Sequence, residues 1–122
     1  MNIYAFDVDH TLWLSRGPVR LGQLLTLYGD GHILGICGNW ARVVALLPNW
    51  HRLFSFIGPM EMTKPAFLKQ LMDYIHAEHY FVVGNDGDGK VVSADKSAAL
   101  AADWEFILAE DFDVKELCNA NP

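Results

Sequence analysis

Asp7 and Asp9 stand one residue apart at the end of the apolar run Ile3-Tyr4-Ala5-Phe6, and Thr11 follows two positions later. Side chains at i and i+2 of an extended segment share a face, so the two carboxylates can converge on one cation or one reacting group. In such a pair one carboxylate can attack an electrophile while the other moves a proton. The same residues serve equally as a plain turn, with Asp and Thr side chains satisfying backbone donors. Further along the chain stand Cys37-Gly38-Asn39, Lys64-Pro65, Gly84-Asn85-Asp86 and Ser93-Ala94-Asp95-Lys96. Their residue types bind anions or metals through backbone amides beside glycine, an ammonium group, or hard oxygen ligands.

The intervening patterns show what must position these groups. Residues 3–6 are continuously apolar, as expected of a strand buried on both faces of a parallel sheet. Residues 12–20 carry Gly17-Pro18 between short apolar pieces and are expected to form a hairpin-like flap. A short helix is expected over 21–28, ended by Gly29-Asp30-Gly31, then a buried strand over 32–37 and a helix over 40–47 stopped by Pro48. A third strand is expected over 53–57, an amphipathic helix over 64–76 with Pro65 in its first turn, and a fourth strand over 80–83. A loop over 84–90, a helix over 96–102 and a strand over 105–108 complete the series. Strands and helices alternate throughout. That order predicts a doubly wound α/β fold, with a mainly parallel five-stranded sheet, helices on both faces and right-handed crossovers. Chemistry-bearing segments then collect at the carboxyl ends of the strands, where open α/β sheets bind ligands.

With 122 residues the chain has room for one core, so a single domain over 1–122 is expected. The sequence carries no internal repeat, linker or low-complexity tract. A hydrophobic fraction of 52% and a charged fraction of 20% are those of a globular protein, and no uncharged apolar stretch is long enough for a membrane span. Met1-Asn2 leads straight into the first strand with no basic or apolar leader pattern, so a cytoplasmic location is expected, with no membrane partner. Cys37 and Cys118 are too few for a disulfide framework and match no zinc spacing. A net charge of −6 argues against a broad nucleic-acid-coating surface.

Taken in order, these segments resemble the four motifs of the haloacid dehalogenase (HAD) superfamily of phosphohydrolases, over residues 3 to 112. Asp7-Val8-Asp9-His10-Thr11 matches the family's Asp-x-Asp-x-Thr first motif, with His10 at a position often held by Gly. The resemblance implies a Rossmannoid HAD-like fold and a magnesium-dependent phosphatase. Asp7 would be the nucleophile that forms an aspartyl phosphate, and Asp9 the acid and later the base. Thr11 would hold the loop through its hydroxyl. Cys37 stands where the second motif offers Ser or Thr; a thiol donates weakly, so phosphate would lean on backbone N–H groups at Gly38 and Asn39 and on the following helix start. Cys37 can equally be an apolar strand residue. Lys64 resembles the third-motif lysine that screens Asp7 from the phosphate dianion. In the fourth motif Asn85 stands where an Asp is common. Asp86 is therefore expected to join Asp7 and the Asp9 carbonyl around Mg2+, with Asn85 and Asp95 as accessory groups. The Asp86-to-Gly89 stretch lacks the spaced ligands of a calcium loop.

Neither interval that carries caps in this family is long enough here for a full cap domain, so an open site is expected. An open site suits a phosphate on a macromolecule, or takes a neighbouring subunit of a homo-oligomer as its lid. The run from Ser93 to Phe112 loosely resembles the tail of polynucleotide 3′-phosphatases, which makes a nucleic-acid end one candidate substrate. Trp13, Trp40, Trp50 and Trp104 are candidates for base stacking or, more simply, for core packing. A second class is a HAD-like phosphate-binding or interaction module with weak or no turnover, which Cys37 and Asn85 would explain. A phosphoacceptor receiver domain is disfavoured because its lysine follows the fifth strand, and a glycosyltransferase Asp-x-Asp leaves Lys64 unexplained.

Overall fold

Five apolar runs become five strands. The computed structural model describes residues 1–85 and 94–113. Within them β1 (Asn2–Phe6), β2 (Ile33–Cys37), β3 (Phe56–Gly58), β4 (His79–Gly84) and β5 (Glu105–Leu108) form one sheet in the order β3-β2-β1-β4-β5. Every pairing is parallel, which makes the chain an α/β protein with a five-stranded all-parallel sheet. Ile3 pairs with Ile33 on one side and Tyr80 on the other, so β1 is the central strand. All five of its residues are buried, the condition under which a strand loses its polar alternation and reads as one apolar run.

Successive β1 side chains leave the strand in opposite directions. Tyr4 and Phe6 join a cluster with Leu24 and Leu27 of α1 (Leu21–Gly29) and Val43 of α2 (Trp40–Leu46). Ile3 and Ala5 join a second cluster with Leu68 and Leu71 of α4 (Lys64–Tyr74) and Ala98 and Ala99 of α5 (Ala94–Ala101). Aromatic rings fill the first cluster: Tyr4 stacks on Phe81 with centroids 5.1 Å apart, and Phe112 meets Phe6 edge-on at 5.6 Å.

Helix ends follow local chemistry. At the start of α1 the Arg20 N–H donates to Gln23 Oε1 over 2.9 Å, and Gln23 Nε2 reaches the Phe112 carbonyl at 3.1 Å, tying the distant segment down. The Thr63 hydroxyl caps α4 by accepting the Ala66 N–H at 3.3 Å, with Pro65 in the first turn as expected. This cap and the proline fix the point at which Lys64 enters the site.

Two expectations need correction. The strand expected over 53–57 is confined to Phe56–Gly58, because Trp50–Leu53 forms a short helix, α3, whose last residue buries itself as a helical side chain. The flap is a 3₁₀ turn over Trp13–Ser15 closed by an isolated parallel bridge between Leu12 and Val19, and no hairpin forms. Gly17 is indispensable there, since a Cβ at that position would collide with the Thr11 backbone. Among the described residues no helix is long and apolar enough to cross a membrane.

Candidate active site

The strand order reverses direction at β1, since the chain lays down β2 and β3 on one side of it and β4 and β5 on the other. Such a switch point opens a crevice at the carboxyl ends of the strands. Asp7 is the first residue beyond β1 and Asn85 the first beyond β4. The Asp7 N–H continues the ladder by donating to the Val83 carbonyl at 2.9 Å, which fixes the carboxylate at the rim.

Asp7 is only 7% exposed, and its two oxygens have different partners. Oδ1 lies 3.4 Å from Lys64 Nζ, and Oδ2 accepts Asn85 Nδ2 at 3.3 Å. Lys64 is held more tightly by Asp95, whose Oδ1 it meets at 2.7 Å. The burial of Asp95 at 6% exposure makes this a short, charge-assisted contact in a poorly solvated place. Burial and the Asp95 carboxylate push the Asp7 carboxyl up to about 7, against the opposing pull of the Lys64 ammonium. Burial works against the Lys64 ammonium, yet the Asp95 hydrogen bond and the two carboxylate charges outweigh it and raise its pKa.

Asp9 is exposed and is steadied from two sides. Ser15 Oγ donates to its Oδ1 at 3.0 Å, and Asn39 Nδ2 lies 3.5 Å from each carboxylate oxygen. Its backbone carbonyl accepts Asn85 Nδ2 at 3.1 Å. Asn85 therefore bridges the Asp7 carboxylate and the Asp9 carbonyl. Ser15 was not among the residues expected from the sequence; it follows an apolar piece, and nothing in its spacing marks it.

Glycines allow these approaches. A Cβ on Gly38 would collide with Asp7 Oδ1, and one on Gly84 would sit 2.7 Å from Asp95 Oδ2. The Gly38 N–H is already donated to the Gly58 carbonyl at 2.9 Å, so it belongs to the β2–β3 ladder and is not spare for phosphate. The helix after it, α2, has only seven residues, and Asn39 makes no side-chain capping bond.

Cys37 is 2% exposed and packs with Ile3, Ala5, Leu68 and Leu71. Burial, opposed by Lys64 and reinforced by Asp95 and Asp7, pushes its thiol up to about 12. A buried, core-packed thiol with a raised pKa fits the apolar-strand alternative and is poorly suited to act as a thiolate nucleophile. Thr11 is fully buried, but its hydroxyl has no hydrogen-bond partner among the described residues. It holds the loop through its backbone instead, donating N–H to Val8 and accepting from Val19. His10 takes the left-handed conformation at φ 58°, which His adopts more readily than most residues.

Asp86, Asp88 and Ser93 lie outside the described residues. Among those described, no three His, Cys, Asp or Glu side chains gather as a metal cluster. The oxygen set is still of the right kind, because the Asp7 carboxylate and the Asp9 carbonyl are hard ligands converging on one point. The tryptophans offer no clear stacking platform. Trp104 is buried with its Nε1 on the Leu68 carbonyl at 3.2 Å, Trp40 donates to the Pro59 carbonyl at 3.3 Å, and Trp13 and Trp50 pack against the first core cluster. No protein-family model, curated protein or solved structure matches the chain.

Proposed function

We propose that this chain is a capless HAD-like phosphatase that hydrolyses a phosphate monoester through an aspartyl phosphate on Asp7. The observation that carries the reading is the convergence on Asp7 of side chains from three other parts of the chain: Lys64 from the start of α4, Asn85 from the end of β4, and Asp95 through its hold on Lys64. The split of β1 side chains between two core clusters supports the doubly wound arrangement, with helices on both faces of the sheet.

The chemistry divides into two displacements. An Asp7 oxygen attacks phosphorus; the bond to the leaving oxygen breaks, and that oxygen keeps the electron pair and takes a proton from Asp9. Water then attacks the aspartyl phosphate, Asp9 receives its proton, and the Asp7 carboxylate is restored. Lys64 draws negative charge away from the path between carboxylate and phosphate dianion. Asp7 and the Asp9 carbonyl would hold Mg2+, which when bound neutralises phosphate charge and favours ionised Asp7. The short flap, with intervals after Asp9 and between Asn39 and Lys64 too short for a full cap, fits a phosphate carried by a macromolecule, or a site completed by a neighbouring subunit.

A phosphate-binding module of low turnover is the second reading, favoured by the neutral Asn85 and by the engaged Gly38 N–H. Incubation with acetyl phosphate followed by peptide mass spectrometry separates the two. An adduct on Asp7 that decays in water and is absent from Asp7→Asn supports the phosphatase. Binding of phosphate with no adduct, and an Asp7→Asn protein that binds it unchanged, supports the module.

A further inference from the structure

Among the described residues of the site, Asp7, Asp9 and Asp95 carry the acids and Lys64 the one ammonium, which lies closer to Asp95 than to Asp7. What bridges the Asp7 carboxylate and the Asp9 carbonyl is an uncharged group, the Asn85 amide, with Nδ2 at 3.3 Å from one oxygen and 3.1 Å from the other. Two oxygens from one loop thus share a single donor at the point where they converge.

We infer that the Asn85 amide stands in for a divalent cation, holding Asp7 and Asp9 together without metal and making the site a weak, displaceable magnesium site. The inference rests on the reading of Asp7 and Asp9 as a cation-assisted phosphoryl-transfer pair and specifies which residue sets the cation's affinity.

Charge count is the first reason. Mg2+ is bound through one or two carboxylates and keeps several waters, and affinity at hard-oxygen sites follows the number of charged ligands. Asn85 contributes a dipole where an Asp would contribute a full charge. To present its Oδ1 to a cation the amide must turn over and give up both hydrogen bonds. Among the described residues Asp95 does not make up the difference, since its Oδ1 is engaged by Lys64 at 2.7 Å.

The second reason is the state without metal. An Asp at position 85 would set a carboxylate against the Asp7 carboxylate and the Asp9 carbonyl, acceptor facing acceptor, at a buried position. Asn85 converts that repulsion into two hydrogen bonds. The same substitution that weakens the cation therefore keeps the site assembled in its absence.

Isothermal titration of the full chain with MgCl2 alone, together with thermal melts in EDTA and in Mg2+, tests the inference without reference to turnover. Wild type should bind with a dissociation constant on the order of 1 mM, and its melting temperature should be insensitive to EDTA. Asn85→Asp should bind at least about tenfold more tightly, melt lower than wild type in EDTA and recover in Mg2+. Asn85→Ala, which removes the bridge without adding charge, should gain no affinity. Micromolar binding by wild type overturns the inference, as does an Asn85→Asp protein no tighter than Asn85→Ala. Loss of wild-type binding in Asp86→Asn overturns it too, by assigning an acidic ligand to Asp86. If Asn85→Asp folds only in Mg2+ the inference stands; if it folds in neither buffer, the wild-type affinity decides on the same millimolar or micromolar criterion. Failure of the phosphatase reading leaves a different mark, the absence of any phosphoryl adduct on Asp7 whatever the Mg2+ affinity.

Discussion

Ser15 Oγ donates to Asp9 Oδ1 at 3.0 Å, while the Ser15 carbonyl accepts the His10 N–H and its own N–H is held by the Leu12 carbonyl, both at 2.9 Å. The 3₁₀ turn thus fixes the orientation of the exposed Asp9 carboxylate. Ser15→Ala should lower kcat by about tenfold, the lower end expected for losing a hydrogen bond to a charged group, with KM little changed. On the proposed mechanism, in which Asp9 protonates the leaving oxygen, the loss should be confined to esters of basic leaving groups and should vanish for p-nitrophenyl phosphate. A uniform loss across leaving groups would mean that Ser15 only supports the fold.

Lys64 and Asp95 form the tightest ion pair in the site at 2.7 Å, with Asp7 a looser second partner at 3.4 Å. Asp95→Asn should destabilise the protein by about 1–3 kcal/mol, measured by urea unfolding, because a buried charged hydrogen bond is lost while Lys64 keeps Asp7. Inorganic phosphate should bind at least as tightly, since the site has lost a negative charge, while turnover falls because Lys64 is no longer held in place.

The raised Asp7 pKa makes stability depend on pH. The folded state holds this proton more firmly than the unfolded chain, so its contribution is full below the ordinary carboxyl value of 3.8 and is lost as pH rises towards about 7. In EDTA, the stability of wild type relative to Asp7→Asn should therefore fall across that window. A difference that stays level or rises with pH would contradict the burial-driven shift.

The Cys37 thiol, pushed up to about 12 and 2% exposed, should resist iodoacetamide at pH 8 in the folded protein and react after denaturation, as read by peptide mass spectrometry. Cys37→Ser should cost about 1–3 kcal/mol, because its hydroxyl is placed among Ile3, Ala5, Leu68 and Leu71 without a ready partner. Improved turnover in Cys37→Ser would instead show that the side chain reaches phosphate.

Much of this architecture was legible in the sequence because its causes are local and repetitive. Buried parallel strands read as unbroken apolar runs, which is why Ile3 to Phe6 and Ile33 to Cys37 were apparent, and Pro65 marked the start of α4 beside Lys64. Leu53 and Phe54 misled because two adjacent apolar residues have no period, and only tertiary packing made Leu53 the end of a helix. At the end of β4, Asn85 sits across from Asp7 and Asp9, while Asp86, the acid that the resemblance favoured, lies outside the described residues. Ser15 and the orphaned Thr11 hydroxyl depend on how the flap folds back, for which sequence spacing carries no signal.

The central position of β1 also imposes an order of events on the nascent chain. Residues 2–6 pair with residues 79–83, so one edge of the most apolar strand has no partner until β4 has been made. At a synthesis rate of about 5–20 residues per second, that edge waits for seconds after β1 leaves the ribosome. The β1–β2 pair can form earlier, but the ends of β1 and β4 meet only after most of the chain exists. Phosphate or vanadate should accordingly fail to stabilise ribosome-bound chains that stop before β4, and protection should begin only with chains long enough to place Asn85 and Asp95 beside Asp7.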